Sequence, residues 1–396
     1  MASSSLYIQI SAFALFTSLL DITTQASHGE CGIPNKHTPA VPLFVFGDSI
    51  FDAGNNNYFS TVFQGNYWPY GETYKKGHPT GRISDGRIIP DFIAEYAKLP
   101  SIPPYLEPGN EEFKYGVNFA SAGAGALIET RQGLGRDLHC QLSYFKNVGK
   151  SLRQKLGDEE AKSLLTRAVY LSNIGSNDYL FPFDTDSSML RSYSREEFVG
   201  LVIGNITSVI KEIYNEGGRN FGFMNLYPLA CIPYGRALGA GPNNGCHEEL
   251  ATYVELHNKA FYKHLEKLES ELKGFRYSLT DFHKFITQRI DHPSEYGFKE
   301  GKVACCGSGP YRGVYSCGGR RGVKEYDLCD NVSEHLFFDS AHPTEMAYEQ
   351  SAKLFWSGTP DFTAPYNLKA LFESNQDLSK DSSTEIFVDE AIHSEF

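Results

Sequence analysis

The sequence predicts an α/β protein, and three observations point to this class. Five short apolar segments of strand-like composition are spread along the chain, at residues 43–46, 116–119, 168–171, 221–224 and 275–279. Stretches with helical spacing of apolar residues lie between them, as expected when strands and helices alternate. The chain has 396 residues, of which 41% are hydrophobic and 21% charged, so it can bury a large core.

The N-terminal segment predicts secretion. An apolar run from Leu6 to Leu20 precedes the small-residue site Thr24-Gln25-Ala26, so we expect residues 1–26 to be a signal peptide and residues 27–40 a short tether. The run is too short and too interrupted by polar residues for a confident membrane span, although it lacks the usual Lys or Arg before it. No second stretch approaches spanning length, so we expect no stable membrane span and an extracellular destination.

Two helices between the strands have readable ends. Ser194 and Glu197 form the pattern of a capping box, and Gly217-Gly218 is the corresponding stop signal. A second helix is predicted from about His247 to Lys273, with Gly274 as its end. Its apolar positions recur at helical spacing, which predicts a face packed on the sheet.

The cysteines and sequons agree with an oxidising compartment. All eight cysteines lie beyond the predicted cleavage site, and eight cysteines allow 105 pairings. We expect Cys231 to pair with Cys246, and two of the four cysteines between Cys305 and Cys329 to pair with each other. Asn205 and Asn331 begin Asn-x-Thr and Asn-x-Ser sequons and are candidate glycosylation sites.

The charge pattern argues against a nucleic-acid partner. Acidic residues outnumber basic ones by 48 to 36, which gives a formal charge of -12. No block of Lys or Arg interrupts this acidic balance, whereas nucleic-acid binding requires a basic surface.

Ser49 is a candidate nucleophile because of where it lies. It directly follows the first predicted strand, in the sequence Phe46-Gly47-Asp48-Ser49. In open α/β sheets the carboxyl ends of the strands form the site. A turn of this composition is common, so the motif alone is ambiguous. We interpret Asp48 as structural, since a carboxylate beside a developing oxyanion would oppose its charge.

Asp339 and His342 are candidates for the acid and the base that a serine nucleophile needs. They stand three residues apart on a predicted loop, before a helix that starts around Thr344. One turn can bring such a pair within hydrogen-bonding reach, and triads are recognised by geometry rather than by chain order. Alone, an Asp-x-x-His pair is more often a helix cap or a surface pair.

Other catalytic patterns are missing from the sequence. It contains no Gly-x-Ser-x-Gly, which disfavours a lipase of the α/β-hydrolase type. His247-Glu248-Glu249-Leu250 lacks the second histidine of a zinc-protease motif, and there is no Cys-x-x-Cys pair. We therefore expect neither a metal nor a cofactor.

Four segments together resemble the conserved blocks of plant GDSL esterase/lipases, members of the SGNH hydrolase superfamily. In the order of that family they are Phe46–Ser49, Asn118–Gly125, Gly175–Asp178 and Asp339–Pro343. The resemblance extends from about Leu43 to Leu371. It implies a three-layer α/β/α sandwich of the flavodoxin-like SGNH type, with a central, mostly parallel five-stranded sheet in a domain of residues 41–373.

The resemblance also implies roles for five residues. Ser49 would be the nucleophile, with Asp339 and His342 as its partners. The oxyanion would be held by the backbone N–H of Ser49, the backbone N–H of Gly123 and the side-chain amide of Asn177. Without the resemblance, Gly123 would be read as a residue of close helix–sheet packing and Asn177 as a helix cap.

Three functions remain open at this point. The first is hydrolysis of a small-molecule carboxylic ester through an acyl-serine intermediate. The second is transfer of the same acyl group, for example a hydroxycinnamoyl group, to an alcohol or sugar-acid acceptor. The third is a catalytically idle binding or defence protein, a possibility raised by a resemblance to pathogen-responsive lipase-like members. Neither the oligomeric state nor the natural substrate follows from the sequence.

The C-terminal segment, residues 374–396, departs from the family pattern. It is acidic and lacks a sustained core pattern, so we expect a tail. Its mixed acidic and apolar end leaves a vacuolar sorting peptide open as an alternative to extracellular release.

Overall fold

A six-stranded sheet lies at the centre of the described part of the chain. The computed structural model describes residues 40–74, 77–185, 189–239 and 245–381. Numbered along the chain, the strands of the main sheet and of a separate two-stranded ladder are β1 (Leu43–Gly47), β2 (Gly116–Asn118), β3 (Val169–Asn173), β4 (Asn220–Met224), β5 (Arg276–Thr280), β6 (Cys306–Gly307), β7 (Asp327–Leu328) and β8 (Thr363–Pro365). The main sheet has the order β2-β1-β3-β4-β5-β8, and β6 pairs with β7.

All five predicted strands are confirmed, but the sheet has one strand more than predicted. Strands β1 to β5 run parallel, and β8 pairs antiparallel with β5. The five-stranded prediction missed β8 because this strand has only three residues, ends on Pro365 and lacks an apolar run. A proline fits an edge strand, which needs no donor on its outer side.

Helices cover both faces of this sheet. In chain order they are α1 (Ile89–Tyr96), α2 (Leu138–Leu156), α3 (Asp158–Arg167), α4 (Ser176–Thr185), α5 (Met189–Ser192), α6 (Arg195–Asn215), α7 (Pro233–Leu238), α8 (Glu248–Glu271), α9 (Phe282–Asp291), α10 (Glu345–Ser357) and α11 (Leu368–Asp381). Helices α2, α3, α6 and α8 pack in one group, and α1, α10 and α11 in another.

Strand β4 shows that these two groups lie on opposite faces. Phe221 and Phe223 lie in an apolar cluster with residues of α6, such as Ile206. Between them, Gly222 faces the other way, because an added Cβ there would lie 2.7 Å from Leu368 of α11. Side chains of a strand alternate between faces. The fold is therefore a three-layer α/β/α sandwich.

The predicted ends of α6 are confirmed, and α8 ends slightly earlier than the predicted Lys273. Ser194 caps α6 and accepts a hydrogen bond from the backbone N–H of Glu197, whose carboxylate bonds back to Ser194. Helix α8 is capped by His247 through its ring nitrogen, 3.3 Å from the N–H of Leu250, and ends at Glu271. Both helices bury an apolar face, as their spacing predicts.

Three disulfides are present among the described residues. Cys231 pairs with Cys246, as predicted, and all four of the later cysteines pair, Cys305 with Cys329 and Cys306 with Cys317. The latter two bonds staple the irregular region that contains β6 and β7. Cys140 in α2 carries a free thiol in this structure, and Cys31 lies outside the described residues.

The predicted terminal segments are largely outside the described residues. The expected signal peptide and all of the expected tether except residue 40 lie there, as does the chain beyond Asp381. Helix α11 runs from Leu368 to Asp381 and so includes the first residues of the segment predicted as a tail. Leu371 and Phe372 of its first turns are buried in the core. Within the described ranges, no helix is long and apolar enough to cross a membrane.

Candidate active site

The turn that carries Ser49 starts immediately after β1. Gly47, the last residue of the strand, has a φ of +143°, and a Cβ there would lie 2.3 Å from the carbonyl oxygen of Asn173 on β3. Only glycine fits this close approach of two strands. The next backbone N–H, that of Asp48, donates to the same carbonyl at 3.1 Å. The chain therefore leaves the sheet sharply and places Ser49 at the carboxyl edge.

The loop that carries Asp339 and His342 reaches the same edge. It closes on itself, since the N–H of Phe338 donates to the carbonyl of His342 at 2.8 Å. The following residues enter α10, which Thr344 caps as the sequence predicts. Asp339 is buried, and its Oδ1 accepts from the backbone N–H groups of Ala341 and His342, both at 2.9 Å. These bonds fix the carboxylate relative to its own loop.

Ser49, His342 and Asp339 form one row of hydrogen bonds. His342 Nε2 lies 2.7 Å from Ser49 Oγ, and His342 Nδ1 lies 2.6 Å from Asp339 Oδ1. A carboxylate can only accept, so Nδ1 carries a proton in this pair and Nε2 is free to accept the proton of Ser49. The geometry can thus activate a serine hydroxyl as a nucleophile.

The second oxygen of Asp339 is held by a residue that the sequence did not single out. The hydroxyl of Tyr70 donates to Asp339 Oδ2 at 2.7 Å, and both side chains are buried. The guanidinium of Arg321 lies over the Tyr70 ring, 5.7 Å from its centroid. Tyr70 stands 269 positions before Asp339, and no local pattern in the sequence signals such a contact.

Asp339 is held in its ionised form. Burial would raise its pKa, but the charge of His342, the hydrogen bond with His342 and the charge of Arg321 together hold the pKa well below its ordinary value. A carboxylate that accepts several hydrogen bonds near positive charge stays ionised. It can therefore stabilise an imidazolium at His342 throughout the neutral range.

Gly123 and Asn177 lie beside Ser49 in the same cleft. Among the described residues, neither the N–H of Ser49 nor that of Gly123 donates to another protein group. Gly123 has a φ of +83°, and a Cβ there would lie 2.7 Å from the ring of Phe63. The Nδ2 of Asn177 donates one hydrogen to the carbonyl of Ala124 at 2.9 Å and carries a second. Three donors thus border the cleft.

Buried carboxylates join the loops around the cleft, a feature that the sequence reasoning missed. Asp52 accepts from the N–H groups of Gly54 and Asn55 through one oxygen and from that of Ala122 through the other. Asp178 accepts from the N–H groups of Ala126 and Leu127 and from the hydroxyl of Thr130. Burial raises the pKa of each carboxylate to about 6. These bonds fix the loop of Gly123 relative to those of Ser49 and Asn177.

A buried glutamine secures the backbone before Ser49. Gln141 in α2 accepts from the N–H of Gly47 and donates to its carbonyl, both at 2.8 Å, and also donates to the carbonyl of Arg136. One feature of the sequence indicates that Gln141 has a structural partner. Gln141 occupies a position on the apolar face of α2, between Leu138 and Phe145, where a polar residue needs a partner.

Asp48 has the structural position that the sequence suggested. Its Oδ1 accepts from the N–H of Ile50 at 3.1 Å, and its backbone carbonyl accepts from Phe51 and Asp52. Its Oδ2 is buried without a partner among the described groups. Burial raises the pKa of Asp48 from 3.8 to about 7, against the weaker lowering influence of the Ile50 bond. A large part of this group is therefore uncharged at neutral pH.

The two sequons have different surroundings. Asn205 lies within α6, where its side chain donates to the carbonyl of Leu201 and contacts His139 at 2.9 Å. Asn331 is exposed and caps a short turn, where its Oδ1 accepts from the N–H and the hydroxyl of Ser333. The Asn331 side chain is thus exposed, whereas that of Asn205 is partly buried.

One grouping of metal-ligand side chains occurs among the described residues. Cys305, Cys329 and His335 offer atoms within 4.8 Å of one another. The two cysteines are joined in a disulfide, so their sulfurs are not the thiolates that a metal would bind. The grouping does not support a metal centre.

Known proteins resemble this chain over most of its length. The sequence profile of the family described as "GDSL-like Lipase/Acylhydrolase" matches residues 43–355. The chain is 54% identical to "GDSL esterase/lipase 1" of Arabidopsis thaliana, over 86% of this chain and 92% of that protein. It is 52% identical to a "GDSL lipase" of Tanacetum cinerariifolium, over 84% of this chain and 88% of that protein. "GDSL esterase/lipase 5" of Arabidopsis thaliana is 48% identical to the chain, over 92% of this chain and 96% of that protein.

Proposed function

Because the chain belongs to the family of GDSL-like lipases and acylhydrolases, whose members act on ester bonds, we propose that it hydrolyses carboxylic esters through an acyl-enzyme on Ser49. The observation that carries this proposal is the row of hydrogen bonds from Ser49 Oγ to His342 Nε2 and from His342 Nδ1 to Asp339. Ser49 is the nucleophile, His342 the general base and acid, and Asp339 the group that orients and stabilises the imidazole.

In the first half of the reaction Ser49 Oγ attacks the carbonyl carbon of the ester. Its proton passes to His342 Nε2, and the carbonyl oxygen becomes a tetrahedral oxyanion. The N–H groups of Ser49 and Gly123 and the amide of Asn177 donate to that oxyanion. The carbon–oxygen bond to the alcohol then breaks, and the alcohol leaves with the proton of His342. An acyl group remains on Ser49.

In the second half a water molecule takes the place of the alcohol. Its proton passes to His342 and its oxygen attacks the acyl carbon, with the same donors on the second oxyanion. The bond to Ser49 Oγ breaks, and Ser49 recovers the proton from His342. The carboxylic acid is released and the site returns to its starting state.

An assay with and without an acyl acceptor tests this function. The full chain lacking residues 1–26 is incubated with p-nitrophenyl acetate, and free acetate and transferred ester are separated and measured. We expect free acid as the main product in both cases, and no release of p-nitrophenol by Ser49→Ala.

The other outcomes of this assay assign different functions. Accumulation of the acetyl ester of an added alcohol or sugar acid, at the expense of free acid, would assign acyl transfer instead. A folded wild-type protein that releases no p-nitrophenol and does not react with an organophosphonate would indicate a binding protein.

We also propose that the chain passes through the secretory route. The three disulfides support this, because such bonds persist in oxidising compartments. The exposed position of Asn331 is suited to a glycan. A fluorescent fusion expressed in plant cells, with and without residues 376–396, distinguishes extracellular release from delivery to the vacuole. Loss of a glycosidase-sensitive mass shift in Asn331→Gln identifies the modified residue.

A further inference from the structure

An apolar groove opens beside the cleft that contains Ser49. We define the apolar groove by Val62, Phe63, Leu238, Tyr315, Arg321 and Val323, and its volume is about 500 Å³. Three of these residues, Phe63, Tyr315 and Arg321, also line the cleft at Ser49. The groove and the cleft therefore share a wall and are continuous.

The cleft itself is far smaller than the adjoining groove. Its volume is about 30 Å³, against about 500 Å³ for the groove, which falls within the range of roughly 300 to 1,000 Å³ that is typical of ligand pockets. The cleft has room for the reacting carbonyl group, and the groove offers the larger space for the rest of the substrate.

The chemistry of the groove selects a hydrocarbon. Val62, Leu238 and Val323 are large aliphatic side chains that remain 56%, 39% and 41% exposed. Arg321 is the one charged side chain among the described residues that line the groove, and its guanidinium lies over the ring of Tyr70. Contiguous exposed apolar surface beside a reactive cleft gains free energy when a ligand covers it.

The position of Phe63 identifies which half of the ester enters the groove. Phe63 packs directly against Gly123, since a Cβ on Gly123 would lie 2.7 Å from Phe63 Cδ2. The groove thus begins beside a donor for the oxyanion. His342, which has to protonate the leaving alcohol, lines the cleft but not the groove. The alcohol is accordingly directed away from the groove, and the acyl group toward it.

We propose that the apolar groove binds the acyl chain of the ester substrate, and that the substrates are esters of medium-length hydrocarbon acids. This inference rests on the proposed esterase function. Each methylene that enters the groove leaves water, which corresponds to an increase of about twofold to fourfold in kcat/KM per methylene until the groove is filled.

A chain-length series in groove variants tests this inference. The full chain lacking residues 1–26 is assayed with p-nitrophenyl acetate, butyrate and octanoate. We expect kcat/KM of the wild type to rise from acetate to octanoate. Leu238→Glu should lower kcat/KM for octanoate at least tenfold and change that for acetate less than twofold, and Val323→Asp should have the same effect.

A matched control and an alcohol series complete the experiment. Leu201→Glu changes a leucine of similar exposure, 40% against 39% for Leu238, on α6 outside the groove, and should leave both activities unchanged. Ethyl and octyl acetate vary the alcohol instead, and Leu238→Glu should leave their ratio of kcat/KM unchanged.

Different results would overturn the acyl assignment, the groove as a binding site and the esterase function. A loss confined to octyl acetate would place the alcohol in the groove and overturn the acyl assignment. A wild type without chain-length preference, or a groove variant that loses acetate and octanoate activity equally, would overturn the groove as a binding site. A wild type that hydrolyses no ester, acetate included, would instead overturn the proposed function on which this inference rests.

Discussion

Tyr70 donates a 2.7 Å hydrogen bond from its hydroxyl to Oδ2 of Asp339, the oxygen that His342 does not use. The phenol and the carboxylate are both almost completely buried. The bond connects the loop after Ser49 with the loop before α10. It holds the carboxylate in the orientation in which its other oxygen, Oδ1, accepts the hydrogen bond from His342 Nδ1.

Removing this hydroxyl should slow catalysis without preventing folding. For Tyr70→Phe we expect kcat to fall by about 10- to 100-fold with little change in KM, because a hydrogen bond to a charged group contributes roughly 1.5 to 3 kcal/mol. Steady-state kinetics on p-nitrophenyl acetate measure this. Tyr67→Phe is the matched control, since Tyr67 packs edge-to-face on Tyr70 but does not donate to Asp339. Equal losses in both variants would show that the loss of any hydroxyl from this pair of rings slows catalysis, and would contradict a specific role for the bond to Asp339.

The side-chain amide of Asn177 should stabilise the transition state of the reaction. We expect Asn177→Ala to lower kcat by 10²- to 10³-fold, the usual effect of losing one oxyanion donor, while KM changes little. Residual activity should remain because the N–H groups of Ser49 and Gly123 still donate. Single-turnover kinetics separate acylation from deacylation, and an unchanged acylation rate would argue against this role for Asn177.

Gln141 should support the stability of the protein through the backbone of Gly47. Gln141→Leu leaves the buried N–H of Gly47 without a partner, at a cost of about 1 to 3 kcal/mol, whereas the Gly47 carbonyl still accepts from the N–H of Ser121. We expect the free energy of unfolding to fall by about 1 to 3 kcal/mol in urea denaturation. Gln154→Leu, an exposed position on the same helix, should change it by less than about 0.5 kcal/mol. A similar effect of both changes would contradict this explanation.

Asp48 should make the protein less stable as the pH rises. Burial raises its pKa from 3.8 to about 7, so the folded state binds the proton more tightly than the unfolded chain does. The free energy of unfolding therefore falls between about pH 4 and pH 7. Asp48→Asn keeps an acceptor for Ile50 and removes this titration. We expect the loss of stability from pH 5 to pH 8 to shrink by about 2 to 3 kcal/mol, and an unchanged pH profile would contradict the burial argument.

The sequence predicted the parts of the fold that have a local signature. Strands β1, β3 and β4 are almost completely buried and rich in apolar residues, and α6 begins with a capping box. Strand β8 has no such run and becomes a strand only through its pairing with β5. The disulfide between Cys231 and Cys246 was predicted, whereas the partners among the four later cysteines depend on how their loop folds.

The residues of the candidate site also divide into those with a local sequence pattern and those without one. Ser49, Asp339 and His342 were predicted from their positions after a strand and before a helix, aided by the resemblance to a family. Tyr70 was missed because its partner lies 269 positions away and its own surroundings carry no pattern. The sequence shows Gln141 as a polar residue on an apolar helix face. This feature becomes informative only when the hydrogen-bond partner of Gln141 is known.

The most direct test of the central claim is covalent capture of the nucleophile. The full chain lacking residues 1–26 is treated with a fluorophosphonate, digested, and analysed by mass spectrometry, in parallel with Ser49→Ala. We expect one phosphonylated peptide, modified at Ser49, with loss of esterase activity in proportion to labelling and no labelling of the folded Ser49→Ala protein. Modification at another residue, or ester hydrolysis retained by Ser49→Ala, would contradict the assignment of Ser49 as the nucleophile.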